Sequence, residues 1–410
     1  MKTQTLISIM RKSTNKKRIL VSGLIFTLAA VISVVYITVI NPMFAQAFVG
    51  QGTGTQNDPY QIDNCAQLQS IKEKTTSSYV LVSDVDCSDT INWNAGSGFE
   101  PIPSFSGDLD GRNFKISGLY INRPTTYWVG LFQIIDGGMV ENLTFQRSGE
   151  QEFDMLGGNN IGSLAAEIWE DSIINIHSDL HLTTRDVYNA EQSNAAVGGL
   201  AGIVRSSIQQ SSFTGSVTGL AKAFQTAQIG GIAGTVDSQP VAIIDSYSDV
   251  QVSFNMSGAP DTFSGDCGGF AGNMSAGSAI QTSYSKGTIN CQDRRARSGG
   301  LIGTANPANV SIDRSFSLAS VHAFQRRVGS IGVGALIGSM SGTETIENSA
   351  FVAPKTGFGE PGSGNGQFSG PSRMDTDSQG NIYVADADNY RVQKFDKDGN
   401  FLTSWSGGPY

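Results

Sequence analysis

The sequence predicts an all-β chain built as a right-handed parallel β-helix, and three observations predict it. A signature of two small residues, one large apolar residue and two more small or apolar residues recurs seven times between residues 130 and 338. Its central residues, Leu131, Leu164, Leu200, Ile232, Phe270, Leu301 and Leu336, are spaced 33, 36, 32, 38, 31 and 35 apart. A period in this range marks stacked supersecondary units, none of which can bury its apolar face alone. The composition agrees, because 49 of 410 residues are glycine and only 15% are charged, which suits turns and closely packed backbone.

The first element is an export segment, residues 1–47. Lys2, Arg11, Lys12, Lys16, Lys17 and Arg18 precede an uncharged apolar run of 22 residues, Ile19 to Ile40. As a helix this run is about 33 Å long, enough to span a bilayer, and the flanking charges place the body outside. Asn41-Pro42 followed by Ala45-Gln46-Ala47 reads as a cleavage site, so a cleaved signal and a retained anchor are both open. Beyond this segment the chain holds 21 basic and 36 acidic residues, a net charge of −15. That surface repels phosphate backbones and excludes nucleic acid as a partner.

Residues 48–128 form an opening coil and cap. Asp63 or Asn64 caps a short helix, Cys65 to Lys74, with Ala66, Leu68 and Ile71 as its apolar stripe. Tyr79 to Val82 reads as a strand, and Phe114, Ile116 and Leu119 belong to the first full coil. Four cysteines in an exported chain suggest bridges, and of the three possible pairings the local one, Cys65–Cys87 and Cys267–Cys291, is favoured because each pair falls within one repeat.

From 129 to 355 each repeat follows one plan. A glycine-rich strand comes first, then a loop, then a strand with Ser-Phe/Tyr-Ser/Thr: Ser212-Phe213-Thr214, Ser246-Tyr247-Ser248, Ser283-Tyr284-Ser285 and Ser315-Phe316-Ser317. Often a third short strand closes the turn. Coils spaced about 4.8 Å apart place the central apolar residues in one internal column and the aromatics in another. Eight such coils extend near 40 Å. The paired glycines, lacking Cβ, permit a tight corner and close approach of neighbouring coils.

These residues resemble the GLUG-type repeat of bacterial surface proteins, in which a Gly-Gly-Leu-Val-Gly-like element precedes an Ile-x-x-Ser-Tyr-Ser-like one. The opening, with Asp58-Pro59-Tyr60-Gln61-Ile62, Asp84-Val85-Asp86 and Phe105-x-Gly107-x-Leu109-Asp110-Gly111, is similar to that family's as well. The resemblance implies an exported β-helix with an adhesive or scaffolding role and no catalytic residues. It fits least at Ile161-Gly162-Ser163-Leu164-Ala165, which lacks the double glycine.

Residues 356–410 change character. Gly362, Gly364, Gly366, Phe368 and Pro371 lead to Gly380-Asn381-Ile382-Tyr383-Val384-Ala385-Asp386, then Asn389, Arg391-Val392-Gln393, Phe395 and Gly399. The pattern resembles one NHL repeat, a four-stranded propeller blade. Asp375-Thr376 departs from the usual Ala-Val of the innermost strand. A lone blade cannot close a propeller. Either the chain is truncated at Tyr410, the preferred reading because Gly407-Gly408-Pro409-Tyr410 looks like the start of another blade, or this blade docks on the β-helix.

The chemistry-bearing candidate is the run Ile174-Asn175-Ile176-His177-Ser178-Asp179-Leu180-His181-Leu182, read as one strand with Ile174, Ile176, Leu180 and Leu182 inward. His177, Asp179 and His181 then share its outer face, where two imidazoles flanking a carboxylate are a set for a transition metal; a solvated face that happens to carry histidines is the plain alternative. Asp84, Asp86, Asp89, Asp108 and Asp110 invite a calcium reading, but lack the EF-hand spacing and read as turn residues. Asp396-Lys397-Asp398-Gly399 reads as a hairpin turn. No hydrolase motif and no phosphate loop stands in the sequence, and no cofactor is expected. The expectation is an exported non-catalytic surface protein, meeting a surface glycan, cell-wall polymer or protein; the alternative is a β-helix carbohydrate-active enzyme, a polysaccharide lyase or hydrolase.

Overall fold

The computed structural model describes residues 50–406 except 185–193, 221–225, 238–239, 256–263, 293–295, 306–308, 325–331, 335, 341–344, 348, 352–361, 370, 378, 380 and 397–399. The export segment, 1–47, and the final four residues lie outside the described residues. Among those described, no helix is long and apolar enough to cross a membrane.

The chain is a parallel β-solenoid. Each coil contributes a strand to a seven-stranded sheet, a strand to an eight-stranded sheet and further strands to a third, 22-stranded face. Among the described residues the strands of successive coils pair in parallel, in a register typified by Asn194↔Thr226, Ala201↔Ala233 and Tyr247↔Tyr284. The glycine motif is a corner between two of these sheets rather than a strand: one strand ends at Gly198 and the next starts at Ala201. Across that corner the central apolar residues stack as expected. Leu200 N–H donates to Ile232 O (3.0 Å), Ile232 N–H to Phe270 O (2.8 Å) and Phe270 N–H to Leu301 O (2.8 Å). All four side chains have 0% exposure, so they occupy one continuous interior.

The two glycines of the motif are not equivalent. The first is glycine in six successive coils (162, 198, 230, 268, 299, 334), and a Cβ there meets the carbonyl oxygen across its own corner, Ala233 O at 2.1 Å in the case of Gly230. The second is replaced by Ser163 in the coil that fits the repeat least. That coil keeps register, Ile161↔Val197 and Ala165↔Ala201, and Ser163 Oγ donates to Gly199 O at 2.6 Å.

A second corner is marked by one left-handed residue per coil: Asn142, Asn175, Gln210, Asp245, Thr282 and Arg314, all with φ between 46° and 56°. Asparagine tolerates this conformation because its short amide finds local partners. Here Asn175 Nδ2 donates to Asn142 Oδ1 (2.9 Å) and Asn142 Nδ2 to Asp110 Oδ1 (3.1 Å). Ile176, Leu180 and Leu182 face inward as the alternation predicts, but the corner breaks it at its start, so Ile173 is buried and Ile174 only partly so. The next residue in several coils is a buried serine. Ser211 N–H donates to Ser246 Oγ, Ser246 N–H to Ser283 Oγ and Ser283 N–H to Ser315 Oγ, at 3.1, 3.1 and 3.2 Å, while each hydroxyl donates to the carbonyl two residues back. The serine ladder thus satisfies the backbone groups that the corner withdraws from the sheet.

The opening matches its expected helix with one change. Asn64 caps the helix Cys65–Ser70 by accepting from Gln67 N, and a 3-10 turn, Ile71–Glu73, extends it. The buried stripe is Cys65, Leu68 and Ile71; Ala66 is exposed. Cys65 is inward because it bonds to Cys87, and Cys267 bonds to Cys291, the local pairing.

The aromatics depart from expectation. Ser211, not Ser212, aligns with Ser246, so Phe213 falls in the column of Ser248, Ser285 and Ser317 and faces inward. Tyr247, Tyr284 and Phe316 stand on the outer face, with ring centroids 5.2 and 5.1 Å apart. Tyr284 and Phe316 are nevertheless buried, because the blade packs on them.

That blade is a four-stranded antiparallel sheet, Pro371–Thr376, Ile382–Asp386, Arg391–Phe395 and Phe401–Ser406. Its first strand pairs despite the unusual residues, Asp375 opposite Tyr383 and Thr376 opposite Ile382. Phe368, Ile382, Val384 and Phe395 form one buried cluster with Tyr284, Phe316 and Leu318 of the solenoid. The docked arrangement is therefore present. Buried Asp386 ties the blade together, accepting from Ser369 N, Asn389 Nδ2, Arg391 Nε and Gln393 Nε2.

Candidate functional site

One outward column of the solenoid runs in register through Lys115, Thr144, His177, Ser212, Tyr247, Tyr284 and Phe316. Its last members are covered by the blade. Its earlier members line an open groove of about 250 Å³, shared with Gln146, Asp179 and Thr214 and ending against Tyr247. Parallel stacking places these side chains side by side, since each coil repeats the orientation of the one before it.

Two of the three residues read as a metal set, His177 and Asp179, line this groove. The predicted single strand is two, Asp171–Ser178 and His181–Thr184, with a break at Asp179-Leu180. His177 Nδ1 lies 2.7 Å from Ser212 Oγ and Nε2 2.9 Å from Asn175 Oδ1. An amide oxygen only accepts, so Nε2 carries the proton and Nδ1 accepts from the serine hydroxyl. Burial also holds the His177 pKa below its usual value. Asp179 Oδ1 accepts from Arg147 N (2.5 Å), and the backbone N–H of His181 donates to Asp154. Among the described residues no group of three or more His, Cys, Asp or Glu is placed to hold a metal ion. His177 and Asp179 meet in the groove, while His181 lies past the break on the next strand and is not among the groove's lining residues.

Sequence reading missed Asp154, which sits 3.3 Å from Arg147 Nε. Burial raises its pKa to about 6, against the lowering effect of the His181 N–H and Arg147. It also missed Glu167. This carboxylate accepts from Trp128 Nε1 (2.8 Å), Asn160 Nδ2 (3.0 Å), Trp169 Nε1 (3.0 Å) and Arg205 Nη1 (3.0 Å). Burial pushes its pKa up, but the bonds from Trp128, Trp169 and Arg205 outweigh burial and hold it low. Neither could be found from spacing, because partners 27 to 39 residues away meet only when coils stack.

The aspartates of the calcium reading are turn and bridging residues. Asp86 accepts from Ser88 N, Asp84 from Lys115 N, and Asp110 from Arg112 N. Asp108 links coils through Ser78 Oγ and Met139 N, beside a second groove of about 380 Å³ that also holds Arg112 and Glu141. Asp396 closes its hairpin by accepting from Asn400 N.

The fold and its surface define a disulfide-bonded β-solenoid with a docked blade, and disulfides belong to oxidising compartments. Comparison with known proteins agrees in part. Residues 368–395 match the family model for the NHL repeat. Over 127 residues, 28% of the chain, it is 42% identical to Halomucin of Haloquadratum walsbyi, covering 1% of that protein. Over 199 residues, 48% of the chain, it is 30% identical to Immunoglobulin A1 protease of Streptococcus pneumoniae, covering 9% of it. The chain thus spans a small fraction of these relatives' length. A solved structure named IgA1 Protease superposes on 80% of this chain and 23% of its own, with a TM-score of 0.51 at 18% identity, a likeness of fold.

Proposed function

We propose that this is an exported, non-catalytic surface protein that uses its β-helix for adhesion or scaffolding. On this reading residues 1–47 export or anchor the chain, 48–128 open and cap the solenoid, 129–355 are GLUG-type repeats and 356–410 are the blade. The observation that carries the proposal is the outward column from Lys115 to Tyr247, a polar groove whose side chains are aligned coil upon coil by backbone register. Such a face suits an extended partner, a surface glycan, cell-wall polymer or protein. The relatives named Immunoglobulin A1 protease match over 9% to 12% of their length, which gives no ground for carrying proteolysis to this chain.

The test is binding of the labelled full chain to purified cell walls, immobilised glycans and protein-coated surfaces, with polysaccharides assayed in parallel for new reducing ends or unsaturated uronates. Saturable binding without product is expected. Product release would replace the proposal with a carbohydrate-active enzyme, and failure to bind any surface would reduce the protein to a spacer.

A further inference from the structure

The aromatic column on the outer face stops abruptly, and where it stops there is a groove. Phe316, Tyr284 and Tyr247 stack at one ring per coil, with Tyr247 and Tyr284 only 3° from parallel. Tyr284 covers one face of Tyr247. On the other side the column continues with Ser212, whose hydroxymethyl group is too small to cover a ring, and there Tyr247 lines the groove. The remaining walls are polar and carry both donors and acceptors: Gln146, Asp179 and Thr214, with Lys115 at the far end, while His177 is a wall whose two ring nitrogens are held by Ser212 and Asn175. Asp179 spends one carboxylate oxygen on Arg147 N–H, and no described residue engages the other.

We infer that this groove is a saccharide subsite, in which the apolar C–H face of a pyranoside residue lies on the open face of Tyr247 and its hydroxyls bond to the polar walls. This rests on the adhesive reading above and names the ligand class for it. A pyranoside has one weakly polar face and a rim of hydroxyls, which matches one aromatic platform inside an otherwise polar groove. An aromatic side chain of a protein partner would instead need apolar walls, and here it would leave the groups of Asp179, Gln146 and Thr214 buried without partners. At about 250 Å³ the groove lies just under the roughly 300–1,000 Å³ of drug-sized sites, so it accommodates one or two sugar residues of a longer chain.

The groove can be altered at Thr214 without touching the interior, whereas Tyr247 also packs against the buried cluster. Thr214 is exposed and stands between Asp179 and Asp249 in its own column, so Thr214→Arg finds two carboxylates and fills the space. Tyr247→Phe keeps the platform, and Tyr247→Ala removes it. The experiment probes an array of immobilised oligosaccharides (neutral hexopyranosides, amino sugars and uronic acids) with the full chain, then titrates the strongest hit as free oligosaccharide. The expected result is at least about tenfold weaker binding for Thr214→Arg and Tyr247→Ala, with Tyr247→Phe close to the parent and the Tm of Thr214→Arg unchanged. Array hits that bind Thr214→Arg as tightly as the parent overturn the inference. So does a parent chain that binds protein-coated surfaces but no oligosaccharide, an outcome that leaves the adhesive reading standing. A parent that binds no surface of any kind overturns both.

Discussion

The solenoid coils and the C-terminal blade solve the same problem in opposite ways. A coil's strands are parallel to their neighbours, 31 to 38 residues away in sequence, and its interior is completed only by the coils above and below. The blade's strands are antiparallel and local, and its polar centre at Asp386 is satisfied within 17 residues on either side. Yet the blade has one apolar layer, and a sheet with one apolar face must set it against something. In a propeller that would be the next blade. Here Tyr284, Phe316 and Leu318 take that place. Stacking makes the solenoid self-sufficient, whereas the blade borrows its second layer.

The strongest way to break the solenoid alone is at the first glycine of a corner. Gly230→Val should cost more than about 4 kcal/mol, because the added atoms meet backbone from two coils, while Gly231→Ser should cost less, because its Cβ meets backbone of the next coil alone, Gly269 O at 2.1 Å, and another coil accommodates Ser163 in that slot. Denaturant unfolding of the two variants checks the contrast, and equal losses would mean that the two glycines do the same job. The borrowed layer is tested next. Phe316→Ala should cost about 3 kcal/mol and should expose the blade to proteolysis before the coils. Simultaneous cleavage of both regions would show that the blade does not depend on the dock. The smallest effect sharpens the account of the second corner. Ser283→Ala leaves the Ser246 N–H and the Gln281 carbonyl without their partner and should cost roughly 1–3 kcal/mol, with faster hydrogen exchange at the Ser246 amide.

The repeat was legible because its cause is local. A corner that leaves no room for a Cβ is written as glycine in six successive coils, and an interior column is written as Leu, Ile or Phe at matching positions. The disulfide pairs were legible for a similar reason, each falling within one repeat. The alternation at 174–182 held for Ile176, Leu180 and Leu182 and failed only at Ile174, because the left-handed Asn175 turns a corner there, and asparagine at that place looks like any polar surface residue. The aromatics misled because Tyr and Phe signal burial without saying against what. In the Ser-Tyr-Ser element the serines turn inward to serve backbone groups, and the rings turn outward to meet the blade.

From its own residues the chain determined a coaxial stack, its period, its closed corners and a blade pattern at the end, since each is a short-range steric demand repeated along the sequence. Only the tertiary structure decided that the ring column lies outside, that the blade covers its later members, and that Lys115, His177, Asp179 and Tyr247 share one groove. Those neighbours are a coil or more apart in sequence, and their meeting depends on the register between coils, which no single repeat contains.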